Sequence, residues 1–79
     1  MRLSLNRKLN VAYLRLRETK ETVETRKLSD DLLLDVGPDG EVYGIELLNA
    51  NQQLSHADLS ELEVEDEETG ESKKVSLPL

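Results

Sequence analysis

Along most of residues 1–50, apolar side chains fall on every second position, the period of a β-strand rather than the 3.6 of a helix. Residues 1–5 alternate around Leu3 and Leu5, and residues 11–17 (VAYLRLR) put Ala12, Leu14 and Leu16 on one face. The polar run between them contains Asn6 and Asn10, and asparagine tolerates the positive φ that a tight turn demands, so these segments predict a hairpin. After a polar connection at residues 18–21, Thr22, Val23, Thr25 and Leu28 mark a third extended segment, since β-branched side chains suit a half-exposed pleat. A helix over residues 14–28 competes, because Arg, Glu, Lys and Leu are good helix formers and Lys20, Glu21 and Glu24 pair at helical spacing. Leu14, Leu16, Val23 and Leu28 keep no helical stripe, however, so strands are preferred.

The stretch DDLLLDVGPDGEVYGIELLNA, residues 30–50, carries the strongest signal. Leu32, Leu34 and Val36 share one face of a strand, with Leu33 and Asp35 on the other, and three leucines in succession predict burial from both sides. In Gly37-Pro38-Asp39-Gly40, Pro38 fixes the φ wanted at the second position of a type I turn, Asp39 suits the third, and Gly40 accepts a left-handed backbone. The returning strand, residues 41–48, sets Tyr43, Ile45 and Leu47 against Val42, Gly44, Glu46 and Leu48. A glycine inside a strand marks a bulge or a close approach of another group to the backbone.

Residues 49–55 turn to Asn, Gln and Ser and read as a loop ending the sheet. Ser55 to Asp58 (SHAD) has the spacing of a helix N-cap, predicting a short helical turn from His56 to about Leu62. Leu62 and Val64 then alternate with Glu61, Glu63 and Glu65, and Lys73, Lys74, Val75 and Leu77 follow a connection at residues 67–70. An acidic strand facing a basic one predicts a terminal hairpin. That is preferred to a solvated acidic tail, the reading suggested by seven acidic residues among the eleven of residues 61–71.

The fold expected is mostly β: an antiparallel meander of four to five strands with a short helical turn and a C-terminal hairpin. Residues 1–50 form the sheet core and residues 51–79 an acidic extension packed on or beside it. The apolar set is Leu3, Leu5, Leu14, Leu16, Leu32, Leu34, Val36, Tyr43, Ile45 and Leu47. With 79 residues the chain buries only roughly 60 to 65% of its unfolded surface. Two tyrosines are the whole aromatic content, so the core is shallow, and without cysteine neither a disulfide nor a thiolate zinc site can reinforce it. A single sheet of this kind leaves one apolar face and two edges to protect, which makes a homodimer the first expectation, formed through Leu34, Tyr43, Ile45 and Leu47.

Charge qualifies this reading. Residues 1–28 hold eight basic residues against three acidic, and the remainder carries a net charge of −12 within a total of −7. Antiparallel pairing of the two halves would neutralise much of this internally; if separate faces persist, they steer a partner of complementary charge, such as a small basic protein. Arg15, Arg17, Arg26 and Lys27 form the only cationic grouping that might attract phosphate, but an acidic chain with two tyrosines lacks the positive field and the stacking rings that nucleic acids require. No apolar run is long enough to span a membrane and no signal segment opens the chain, so a cytoplasmic location and no membrane contact are expected.

Chemistry is sparse. His56 is the single histidine; a triad with Ser55 or Ser60 and Asp58, or a metal held with Asp58 or Glu61, would need sequence neighbours to meet in geometries they rarely adopt. Asp35 and Glu46 each interrupt an apolar strand and would form a dyad if the strands brought them together, although solvent exposure is the simpler account. Asp30 and Asp31 read as the solvated start of a strand. Neither catalytic residues, a metal site nor a cofactor is assigned.

Four of these pieces resemble a family of short bacterial proteins known as domain-of-unknown-function family 2283: AYLRL at residues 12–16, DDLLLDV at 30–36, DG at 39–40 and GIELLNA at 44–50. Where the family has Asp-Pro and a second acid before its AYLRL-like strand, this chain has LNRKLN, and the resemblance ends at about residue 51. It implies a small antiparallel β protein with no assigned catalytic activity, at times encoded beside ribonuclease-like toxins and therefore antitoxin-like in its partner role. Residues and resemblance together predict a non-catalytic protein-interaction module; the alternative is a small-ligand or metal-dependent enzyme using Asp35, Glu46 or His56.

Overall fold

A computed structural model describes residues 1–18, 22–54 and 60–77. Five strands, β1 (Arg2–Asn6), β2 (Val11–Arg15), β3 (Glu24–Ser29), β4 (Leu32–Val36) and β5 (Val42–Leu48), form one antiparallel sheet. A four-residue helix α1 (Ala50–Gln53) follows, then a separate hairpin of β6 (Glu61–Glu65) and β7 (Ser72–Ser76). The mostly β architecture and the terminal hairpin are those the hydrophobic pattern predicts. The strand order is β1-β2-β5-β4-β3, so β2 pairs with β5 instead of with its successor and the chain crosses from mid-sheet to the far edge between β2 and β3. The physical reason is apolar matching: Leu14 faces Ile45 and Ala12 faces Leu47, pairs that exposed β3 has no leucines in register to offer.

Tight turns join the strands of the sheet and of the hairpin. Between β1 and β2 the Asn6 side chain accepts the Leu9 N–H at 2.9 Å, and Asn10 takes φ 58°. Between β4 and β5 the Gly40 N–H donates to the Gly37 carbonyl at 2.9 Å, Asp39 Oδ1 accepts from Glu41 N–H at 3.1 Å, and Gly40 sits at φ 84°, as the Gly-Pro-Asp-Gly sequence requires. In the terminal hairpin Asp66 Oδ1 accepts from Glu68 N–H at 3.0 Å, and Gly70 has φ 76°.

Ahead of the helical turn expected from His56, of which Ser60 is described and helical, an unexpected helix forms. It occupies Ala50–Gln53, in the segment read as loop, whereas Glu61 and Leu62 belong to β6. Residues 55–59, including Ser55, His56 and Asp58, lie outside the described residues. An amide cluster builds this corner: Asn10 Oδ1 accepts from Asn51 N–H at 2.9 Å, Asn49 Nδ2 donates to Asp31 Oδ1 at 2.7 Å, and Gln53 Nε2 donates to the Asp31 carbonyl at 3.0 Å. Three turns distant in sequence are thereby tied together at one end of the sheet.

Most of the expected apolar set shares one face by register: Leu3 opposite Leu14, Leu14 opposite Ile45, Ile45 opposite Leu34, Leu32 opposite Leu47. The set is nonetheless poorly enclosed. Among the described residues the buried apolar side chains are Ala12, Val36, Tyr43 and Ala50; the leucines of β1, β2, β4 and β5 are half-buried and Leu28 of β3 is exposed. Leu33, on the opposite face, is half-buried too, so the three leucines of β4 are not covered from both sides.

Candidate functional site

The two faces of the sheet differ in kind. On the apolar face Leu54, Leu62 and Leu77 stand across from Leu3, Leu14, Ile45 and Leu47 around a cavity of about 260 Å³, so the chain's own hairpin roofs the β1-β2-β5 half. Alternation within β6 and β7 and the pairing of Leu62 with Val75 give this hairpin an apolar side (Leu62, Val64, Val75) and an acidic one (Glu61, Glu63, Glu65). The contact is slight, for Val64 remains 58% exposed and Val75 45%. Leu32 and Leu34, at the other half of the same face, lie outside the roofed cavity.

Of the residues expected to form an interface, Ile45 and Leu47 line that cavity and Leu34, half-buried like them, does not. Tyr43 is buried, its ring against Gly37 and beneath the Arg17 guanidinium, 4.3 Å from the ring centre. Val42 and Tyr43 together face Val36, and this bulge re-aims the strand at the turn.

The opposite face holds a polar trough. Gly44 of β5 has no side chain, and the Tyr13 phenol from β2 lies across it to donate to Asp35 Oδ2 in β4 at 2.7 Å. Thr25 Oγ1 of β3 donates to Asp35 Oδ1 at 2.8 Å, so one carboxylate is gripped from both sides across four adjacent strands. The hydrogen bond to Asp35, with partial burial and that carboxylate's charge, holds the Tyr13 phenol above its usual pKa. Sequence reading singled out Asp35 and the close approach at Gly44, and both have a place here. Tyr13 and Thr25 were missed as partners because they lie 22 and 10 residues from Asp35, and only strand order brings them together.

Asp35 and Glu46 share this face but do not face each other. Asp35 is opposite Gly44, and Glu46 stands between Leu33 and Tyr13. The strands therefore do not assemble them as a directly opposed dyad. The basic residues are likewise engaged within the chain: Arg15 with Glu18 at 3.0 Å, Arg17 with Asp39 at 3.4 Å, Arg26 with Glu24 at 3.6 Å and Lys27 with Asp30 at 3.1 Å. Among the described residues no three His, Asp or Glu side chains converge as metal ligands would.

A family model described as Protein of unknown function (DUF2283) matches residues 6–51, more than half of the chain, and the protein belongs to that family. The matched span runs from the first turn to α1 and contains Tyr13, Asp35 and Gly44, whereas the hairpin falls beyond it. No curated protein and no solved structure matches the chain.

Proposed function

We propose that the protein is a non-catalytic protein-interaction module that completes its hydrophobic core by pairing with a second copy of itself. The observation that carries this reading is the half-enclosed apolar face: a row of leucines from β1 to β4 in which only Ala12, Val36 and Tyr43 are buried. Apolar area left in water contributes nothing at the roughly 25 cal/mol per Å² that burial yields, and a small domain has little other reserve. A catalytic use of Asp35 is disfavoured because both its oxygens accept hydrogen bonds from Tyr13 and Thr25, leaving it an acceptor that organises strands. Sedimentation equilibrium of the full chain at micromolar concentration tests the proposal. A dimer is expected, and a compact monomer at every concentration would overturn it.

A second partner class is favoured by one observation. Residues 60–77 hold seven acidic side chains against two lysines, a net charge of −5 on a two-stranded projection. A small basic protein is the partner that such a projection suits, as in an antitoxin-like role. Co-purification from the native host would retain a basic protein that sodium chloride at about 0.5 M releases; a salt-insensitive companion would count against this reading.

A further inference from the structure

We infer that the outer edge of β6 takes an extended segment of a basic protein as a third strand of the hairpin, a segment in which lysine or arginine alternates with apolar residues. This rests on the reading of residues 60–77 as the seat of a basic partner. The hairpin has two strands, so β6 presents one flank to β7 and leaves the other without a strand partner among the described residues. Its backbone phase is fixed by the bonds at its two ends. Leu77 N–H donates to the Ser60 carbonyl and Asp66 N–H to the Glu71 carbonyl, both at 2.8 Å, and the register between them pairs Leu62 with Val75 and Val64 with Lys73. Hydrogen-bonded and non-hydrogen-bonded pairs alternate in an antiparallel ladder, so Leu62 and Val64 bond β7 while the N–H and C=O groups of Glu61, Glu63 and Glu65 point outward. A strand laid along that flank satisfies those groups, the mode by which exposed edges capture peptides.

Side-chain alternation then dictates what the added strand must carry. Glu61, Glu63 and Glu65 stand on one side of β6 and Leu62 and Val64 on the other, and residues directly opposite each other across a ladder share a side. Lysine or arginine therefore falls opposite the glutamates, and apolar side chains fall beside Leu62 and Val64, which are 43% and 58% exposed. Lys74 reaches Glu61 at 3.9 Å, whereas Glu63 and Glu65 have no ion-pair partner among the described residues. The same carboxylates select against other strands. A second copy's hairpin would bring a further net charge of −5 to this edge, and the opposite edge, along β7, carries Lys73 and Lys74 and repels a basic segment. The hairpin lies beyond the span that the family model matches, so this edge belongs to the chain's own extension.

Peptides of alternating lysine and valine, labelled with fluorescein and titrated with the full chain at low salt, test this by anisotropy. In the bound strand the lysine amides face β6 and the valine amides face away. N-methylation of the lysine amides should therefore weaken binding by roughly tenfold or more, while N-methylation of the valine amides, with the same charge and composition, should leave it intact. Glu63→Lys, at an exposed position that leaves circular dichroism unchanged, should weaken binding by a similar factor, and Glu24→Lys, the same charge change on β3, should not. Equal effects of the two N-methylations, or of the two substitutions, overturn this inference and leave a basic partner of the hairpin standing. Loss of self-association in Glu63→Lys assigns the edge to a second copy and also overturns it. Failure of every peptide to bind overturns the inference and the basic-partner reading together.

Discussion

At position 44 a methyl group would stand 2.6 Å from Cζ of Tyr13, closer than carbon atoms approach without something giving way. The neighbour that must give is a ring held at its tip by Asp35, so the strain cannot be relieved by a side-chain rotation without breaking the 2.7 Å hydrogen bond. Gly44→Ala should therefore destabilise the protein by about 1 to 3 kcal/mol. In a Tyr13→Ala background the same change should cost little, and urea unfolding of the four proteins reads that coupling directly. The phenol also sets a pH dependence. Its folded-state pKa is raised, mainly by the hydrogen bond to Asp35, so its stabilising contribution is complete below the unfolded tyrosine value of about 10 and is lost as pH rises through the higher folded value. Tyr13→Phe should lower stability by about 1 to 2 kcal/mol at neutral pH and remove this share of the alkaline decline, as measured by urea midpoints between pH 7 and pH 11.

The elements were the most legible level, because each is written in a short window. Alternation around Leu3, Leu14, Leu34 and Ile45 located the strands to within two or three residues, and Gly37 to Gly40 specified its turn almost atom by atom. At Gly40 the requirement is torsional, not steric, since nothing lies within 4 Å of an added Cβ while φ is 84°. Gly40→Ala should accordingly cost about 1 to 2 kcal/mol and Gly40→Asn less, because asparagine enters the left-handed region more readily; thermal unfolding of the two variants distinguishes them. The helix Ala50–Gln53 was not legible. It has no cap side chain and no acidic first turn, and what supports it is Asn10, some forty residues earlier, binding Asn51. Local sequence carries no record of such a partner.

For the whole molecule the thinness of the core has a thermodynamic consequence. If half the apolar face is covered by a second copy, unfolding is coupled to dissociation and the melting temperature must rise with protein concentration. Calorimetry over a hundredfold range of concentration should show this for the wild type, and Leu34→Asp should abolish the dependence while lowering the melting temperature to that of the monomer. The candidate site was only partly visible from residues. Asp35, Gly44, Ile45 and Leu47 were singled out, but Tyr13 and Thr25 become partners of Asp35 only through the order β2-β5-β4-β3. The sequence by itself determined which residues lie in strands, where the chain turns and which side chains share the apolar face, because all three depend on neighbours within a few positions. Tertiary structure alone decided that β2 pairs with β5, that a phenol crosses the gap left by Gly44, and that Leu62 and Leu77 of the hairpin come to the apolar face of the sheet. Those outcomes depend on competition among contacts between distant segments, and a period-two pattern is equally compatible with every strand order.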